Sequence, residues 1–357
     1  MSATKTTIWD WIRDLAKEAH ANRDADRYHM VRLFYDAMQM MSTDPKQSQA
    51  MLTQARREAV LLSHDWFMLL CDHWLCQIAV NKLPDYERAR TLAEEAVREA
   101  MSPKYNGLPQ RVCVFDDLVG VYQGLDPLGY AAEIEDACAQ MERYQPDPYS
   151  CAHCLRAIRI DHDLEHGRLE EAKSGALAGL KAPERTDHYP PLYYLSLCHI
   201  AFAEGDFAGM AHWAGAGHVF HGRMGEERTN IELMMWSALA HARLGDRSKA
   251  LASYRAARFA AKTLGRAMSP RYYDALAEYQ KALGRDKLAL IARDQQLPTL
   301  GGATHLECQC RLDRLRLLVK LGRPYDEELD ALRAIAAKLR DPAAVLAMAG
   351  EALTHSP

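Results

Sequence analysis

The chain predicts an all-α fold, a superhelical solenoid of about eight antiparallel helix pairs with capping helices at both ends. Three observations lead there. A short turn signal recurs about every forty residues. The segments between signals carry apolar residues at helical spacing. Alanine is abundant, while runs of β-branched residues are rare.

The turn signal reads Gly or Leu, then Asp or Arg, then a run containing Ala. Clear copies are Gly205-Asp206-Phe207, Gly245-Asp246-Arg247 and Gly284-Arg285-Asp286. Gly167-Arg168-Leu169 and Gly322-Arg323-Pro324 also fit, and Pro84-Asp85-Tyr86 fits without the glycine. Weaker copies are Leu125-Asp126-Pro127 and Thr43-Asp44-Pro45. The Asp/Arg position falls at 44, 85, 126, 168, 206, 246, 285 and 323, at intervals of 38 to 42 residues. Glycine can take the left-handed backbone that closes one helix. Asp can cap the next helix by accepting from its free N–H groups. Pro45, Pro127 and Pro324 sit where a first-turn proline loses no hydrogen bond. Arg at 168, 285 and 323 is a poorer cap, so those helices lean on packing.

Helical spacing is plain in Trp66 to Lys82, where Leu69, Leu70, His73, Trp74 and Ile78 recur at three- and four-residue steps. Ile231 to Leu244 and Cys308 to Leu321 behave alike. The opposite joints hold Ser102-Pro103, Gln145-Pro146-Asp147-Pro148, Tyr189-Pro190-Pro191, Ser269-Pro270 and Leu297-Pro298 to Gly301-Gly302. Each unit is thus two helices of roughly 15–18 residues. Such a pair cannot bury its apolar face alone, and stacking pairs supplies the core. Residues 1–23 and 342–357 are expected to form the caps, and 24–341 the array.

The second helix of the sixth unit carries Ala250, Tyr254 and Ala257, and Ala89, Ala93 and Ala96 repeat the spacing with a small middle residue. This pattern resembles the tetratricopeptide repeat family. The period near 40 is longer than the family's usual 34, as in the long-helix variety of the maltose regulator MalT. The resemblance implies a scaffold that binds a protein or peptide along its concave face.

Composition narrows the function. The 357 residues are 48% hydrophobic and 26% charged, with a net charge of −4. A mildly acidic chain has no global field for phosphate backbones, so no nucleic-acid partner is expected. The basic cluster Arg311, Arg314, Arg316 and Lys320 reads as a solvated helix face. Nine scattered cysteines suit reduced thiols in a cytoplasmic protein. Residues 1–21 lack the apolar core of a signal peptide, and no membrane association is expected.

Sites of chemistry are sparse. Cys151, Cys154, His162 and His166 have metal-like content, yet one helix would spread Cys151 and His166 roughly 22 Å apart. A pair formed by His162 and His166 alone stays open. Cys308 and Cys310 point about 200° apart on a helix, and Cys71 and Cys76 read as core. His218 and His221 fall in the Gly-rich stretch 215–225, and His212 just before it, which predicts a short, frayed helix or a ligand-lining bend. No phosphate loop, nucleophile elbow or HExxH zinc motif occurs. The expectation is a non-enzyme without cofactor or metal. Its partner would be another protein or peptide, with a sensor of a small peptide or signalling ligand as the alternative and a metal-dependent hydrolase at the His162 region as the more remote one. From the helical register, the partner-binding residues are expected to be Tyr35, Asp36, His73, Asp117, Arg156, Arg159, Tyr193, Tyr194, His199 and His241.

Overall fold

A computed structural model describes residues 8–83, 85–108, 110–144, 151–181, 190–224, 227–265 and 268–354. Among these residues there are eighteen α-helices, two short 3-10 turns and no strand. The chain divides into two compact units, Met1–Ile158 and Arg159–Pro357.

The first unit holds α1 (Ile8–Ala21), α2 (Ala25–Met40), α3 (Pro45–Leu61), α4 (Asp65–Asn81), α5 (Tyr86–Ala100), α6 (Gln110–Leu125) and α7 (Ala131–Tyr144). The unit boundary falls within α8 (Cys151–Glu165). The second unit continues with α9 (Leu169–Lys181), α10 (Pro190–Glu204), α11 (Phe207–Met224), α12 (Glu227–Arg243) and α13 (Arg247–Leu264). It ends with α14 (Pro270–Ala282), α15 (Asp286–Gln296), α16 (Thr304–Lys320), α17 (Asp326–Ala336) and α18 (Ala343–Thr354).

Local chemistry explains the helix starts. Asp24, Asp44, Asp85 and Asp246 each accept the N–H three residues on, at 3.0 to 3.1 Å. Asp206 does the same for Gly209 at 2.8 Å. Gly205 and Gly245 stand just before two of these caps with φ of +72° and +79°, where a Cβ would strain the backbone. Arg285 makes no side-chain cap bond, as its chemistry requires. Two marks differ in detail. Asp126 accepts from Gly129 N–H at 3.0 Å within a turn, and α7 starts only at Ala131. After Arg323, Pro324 and Tyr325 delay α17 to Asp326. The joints at 145–148 and at Tyr189, and Pro84, lie outside the described residues.

The Gly-rich stretch corrects an expectation. It forms no short, frayed helix, because α11 runs for 18 residues through Gly209, Gly215 and Gly217. Gly217 is needed for packing: an added Cβ would lie 2.8 Å from both Leu233 and Tyr194. The side chain of His221 lies outside the described residues.

Successive helices pack together through small residues. Ala89, Ala93 and Ala96 on α5, and Ala250 and Ala257 on α13, are buried, and Tyr254 stacks on Tyr279 at 4.9 Å. In the first unit one core joins Ile12, Phe34, Leu52, Phe67 and Leu69, and a second joins Val112, Phe115, Ile134 and Met141. In the second unit Leu195, Leu233, Trp236, Leu239, Tyr272 and Tyr279 share the largest core. Burial of these large side chains contributes on the order of 1.5–3 kcal/mol each. Even-numbered helices also touch the next even-numbered helix: α4 meets α6, α10 meets α12, α12 meets α14, and α16 meets α18. No described helix is long and apolar enough to cross a membrane.

Candidate functional site

In the first unit, polar groups meet on α4 and α6. His73 and Gln77 lie one turn apart on α4 and present one face. Asp117 of α6 accepts the His73 Nδ1–H at 2.9 Å and the Gln77 Nε2–H at 2.7 Å. Its carboxylate is 4% exposed, so these bonds replace water it cannot reach. Asp72, beside His73, is held by Arg56 of α3, whose Nη2 lies 3.2 Å from Oδ2. The same guanidinium reaches Glu99 of α5 at 3.3 Å. Burial nevertheless pushes the Asp72 carboxyl up to about 6. Burial, with the charge of adjacent Asp117, pushes Asp116 up to about 7. Nearby, Trp9 is 43% exposed and packs between Phe34 and Trp74, at centroid distances of 6.2 and 6.1 Å.

In the second unit, groups from α8, α10, α12 and α14 converge around Arg271, in the first turn of α14. Its Nη2 lies 3.3 Å from Asp161 Oδ2 of α8, across 110 residues of chain. The charges of Glu232 on α12 and Asp274 on α14 also act on this guanidinium. Burial, with Arg271's charge, pushes His199 of α10 down to about 3, so its imidazole is neutral at physiological pH. The His199 ring meets Trp236 edge-on, with centroids 4.5 Å apart. Glu232 is 5% exposed and accepts the Ser269 hydroxyl. Ser269 in turn accepts the Tyr272 N–H at 3.3 Å, which caps α14. One turn beyond Asp161 on α8, Glu165 pairs with His305 of α16 at 3.0 Å, and Gln309 bonds the same His305 nitrogen at 2.7 Å.

The residues expected from the register divide by place. His73 and Asp117 come together, and His199 lies within the electrostatic reach of Arg271. Tyr194 is half-buried, with its ring 6.2 Å from Phe220. Tyr193 is instead core: it is fully buried, and its ring covers Gly179, where a Cβ would lie 2.5 Å away. Helical neighbours point 100° apart, which separates the two tyrosines. Tyr35 is half-buried against Phe34 at 6.4 Å, and Asp36 pairs with Arg32 at 3.7 Å. Arg156 and Arg159 are half-buried on α8. His241 lies in the last turn of α12, where its carbonyl accepts the Asp246 N–H at 2.9 Å.

Asp161, Glu232, Trp236 and Arg271 escaped sequence reading. Their convergence depends on contacts more than a hundred residues apart, and the one local signal is the four-residue spacing of Glu232 and Trp236 on α12. The basic cluster on α16 divides: Arg316 and Lys320 are exposed, as on a solvated face, while the other two are not. Arg311 and Arg314 both bind Glu328 of α17, at 3.1 and 3.0 Å, and that carboxylate is 8% exposed.

His162 and His166 lie together on α8, with ring centroids 4.2 Å apart. His166 Nδ1 donates to the His162 carbonyl at 2.8 Å. The side chain of Cys151 lies outside the described residues. Cys71, Cys76, Cys308 and Cys310 are buried, and Cys310 donates to the Arg293 carbonyl at 3.7 Å. Among the described residues no three His, Cys, Asp or Glu side chains are grouped to hold a metal ion. Comparison with models of known protein families finds no match, and no curated protein matches the chain.

Proposed function

We propose that the protein is a non-catalytic interaction scaffold of the tetratricopeptide type, binding a partner protein or peptide along a concave face. On this reading α2 to α17 form eight consecutive pairs, each an even-numbered helix followed by an odd one, with α1 and α18 as caps. Contacts between successive even-numbered helices favour it, because a stack that curves brings its inner helices closer together.

The observation that carries the proposal is the convergence of α8, α10, α12 and α14 on Arg271. Four inner helices there present titratable and aromatic groups to one half-exposed guanidinium. A surface of this kind can hold an extended chain over several repeats. The non-catalytic reading draws support from Ser269, whose hydroxyl is committed at once to Glu232 and to the α14 cap.

Site-specific photocrosslinking tests the proposal. A crosslinking amino acid replaces His199 on α10 or, as a control on another face, Phe259 on α13, which is 74% exposed. In the native host, a discrete protein adduct is expected from position 199 and absent from 259. Adducts from 259 alone would reverse the assignment of faces, and none from 199 would remove the proposal.

A further inference from the structure

Two adjoining clefts open along α12 in the second unit. The larger, about 490 Å³, is walled by Ile231 and Met234 of α12 and by Phe259, Ala260 and Leu264 of α13. The smaller, about 300 Å³, lies between α11 and α13 over Leu233, Met234 and Ser237. Both volumes fall in the range of small-ligand sites, roughly 300–1,000 Å³. Met234 lines both, so they follow one another along the stripe from Glu227 to Ser237, roughly 15 Å of helix. Small residues keep the walls back: Ala252 and Ala256 on α13, and Gly215 on α11, which has nothing within 4 Å of an added Cβ. The polar groups of the lining are largely committed to one another. Asn230 accepts from His218 at 2.5 Å, Ser237 bonds Ser253 at 3.2 Å, and Thr263 donates to the Phe259 carbonyl at 3.0 Å. What remains is a long, mostly apolar trough that suits an extended hydrocarbon chain better than a compact ring.

The α13 side of the trough is basic. α13 carries Arg247, Lys249, Arg255, Arg258 and Lys262, all exposed, and no acidic residue. The chain as a whole is mildly acidic, yet charge is screened beyond about 8 Å at physiological ionic strength, so a ligand here meets the field of α13 rather than the net charge. Arg255, Phe259 and Lys262 stand at i, i+4 and i+7 and share one face. Phe259 is the one exposed phenylalanine among the described residues. Of the five cations Lys249 alone has an ion-pair partner among the described residues, Asp246. The one carboxylate of the lining, Glu227, is exposed and followed by Arg228.

We propose that this trough binds a single-chain anionic amphiphile of the fatty-acid type, its hydrocarbon chain laid over Met234 and its carboxylate outside Phe259, between Arg255 and Lys262. The inference goes beyond the concave-face reading and does not depend on it. The chain covers apolar wall that water now reaches, the Phe259 ring included, and the flexible Met234 adapts to it. Arg255 and Lys262 lay their stems on apolar surface and turn their charges to the carboxylate. A positively charged head would be repelled by α13, and a second copy docked through this face would set the cations of α13 against themselves. An α-helix of a partner, about 10 Å across, is too thick to enter either cleft.

Isothermal titration calorimetry on the full-length protein tests the proposal, with each amphiphile kept below its micellar concentration. Decanoate is expected to bind at one site, at least tenfold tighter than hexanoate, because each methylene laid in the trough adds affinity. It is also expected to bind at least fivefold tighter than decyltrimethylammonium. Arg255→Glu combined with Lys262→Glu should weaken decanoate at least fivefold and tighten decyltrimethylammonium. Ala260→Phe, which fills the larger cleft, should abolish binding of both. Ala256→Leu, at an exposed position on the smaller cleft, serves if that variant unfolds. Arg316→Glu, at an exposed position on α16, is the control for unspecific attraction and should change nothing. The inference is overturned if decanoate gives no saturable heat, if both head groups bind alike to wild type and to the charge-reversed protein, or if filling the clefts does not weaken binding. Sedimentation with phosphatidylglycerol vesicles, in the absence of decanoate binding, would overturn it in favour of a membrane surface.

Discussion

His73 of α4 donates its Nδ1–H to Asp117 of α6 at 2.9 Å, and Gln77 donates to the other oxygen of the same carboxylate. Two helices are thereby joined through one nearly inaccessible acceptor. Asp117→Ala strands both donors in a place that water barely reaches, and should cost about 2–4 kcal/mol. Asp117→Asn keeps an acceptor for one of them and should cost less. Urea unfolding of the two variants checks the order; equal losses would mean that the hydrogen bonds do not set the cost.

Two glycines one turn apart on α6 should respond in opposite directions. Gly120 is exposed and has nothing within 4 Å of an added Cβ, so Gly120→Ala should gain about 0.5–1 kcal/mol from helix propensity. Gly124 is buried against Tyr86 of α5, whose ring carbon Cζ would lie 2.8 Å from the new methyl group. Gly124→Ala should therefore lose about 1–3 kcal/mol through overpacking. Thermal melts of both variants decide the matter, and two shifts of the same sign would contradict the packing seen between α5 and α6.

What the sequence makes legible follows the range of the physics involved. Caps act over three residues, so Asp44, Asp85, Asp206 and Asp246 can be read directly and each is found capping. α1 and α18 fall within 1–23 and 342–357, the stretches set apart from the array by the turn signals. Pro324 looks like a first-turn proline, yet α17 waits until Asp326, because a turn signal leaves the first helical residue open by one or two positions. The cluster around Arg271 is the least legible part. His199 could be selected by register, but Asp161 and Arg271 are separated by 110 residues, and only the stacking of the intervening helices brings them together.

Arg285 offers a cap that the chain has left unfilled. It occupies the N-cap of α15 with no side-chain bond, after Gly284 with φ of +67°. Arg285→Asn should supply the missing acceptor and gain about 0.5–1 kcal/mol, whereas Asp246→Ala at the equivalent place before α13 should lose about 1 kcal/mol. Urea midpoints measured side by side test both. A loss in Arg285→Asn would show that the arginine is held by contacts stronger than its absent cap.

Asp116 should make the first unit sensitive to pH. Its carboxyl is pushed up to about 7 by burial and by the charge of Asp117, with His73 opposing. In the unfolded chain the same group titrates near its ordinary value of about 4. Between those limits the native state binds the extra proton, so the group's contribution to stability falls as pH rises from about 4 to about 7 and is flat beyond. Asp72, raised by burial to about 6, acts in the same direction over a narrower window. Asp116→Asn removes the titration while keeping the shape of the side chain. It should stabilise by about 0.8 kcal/mol at pH 5 and by about 2 kcal/mol at pH 8, once partial solvent contact is discounted. Comparing the variant with wild type at each pH cancels the titrating groups that do not interact with Asp116, leaving its own titration and its coupling to Asp117 and His73. A difference that is the same at pH 5 and pH 8 would show that Asp116 ionises freely in the folded protein, in spite of its setting.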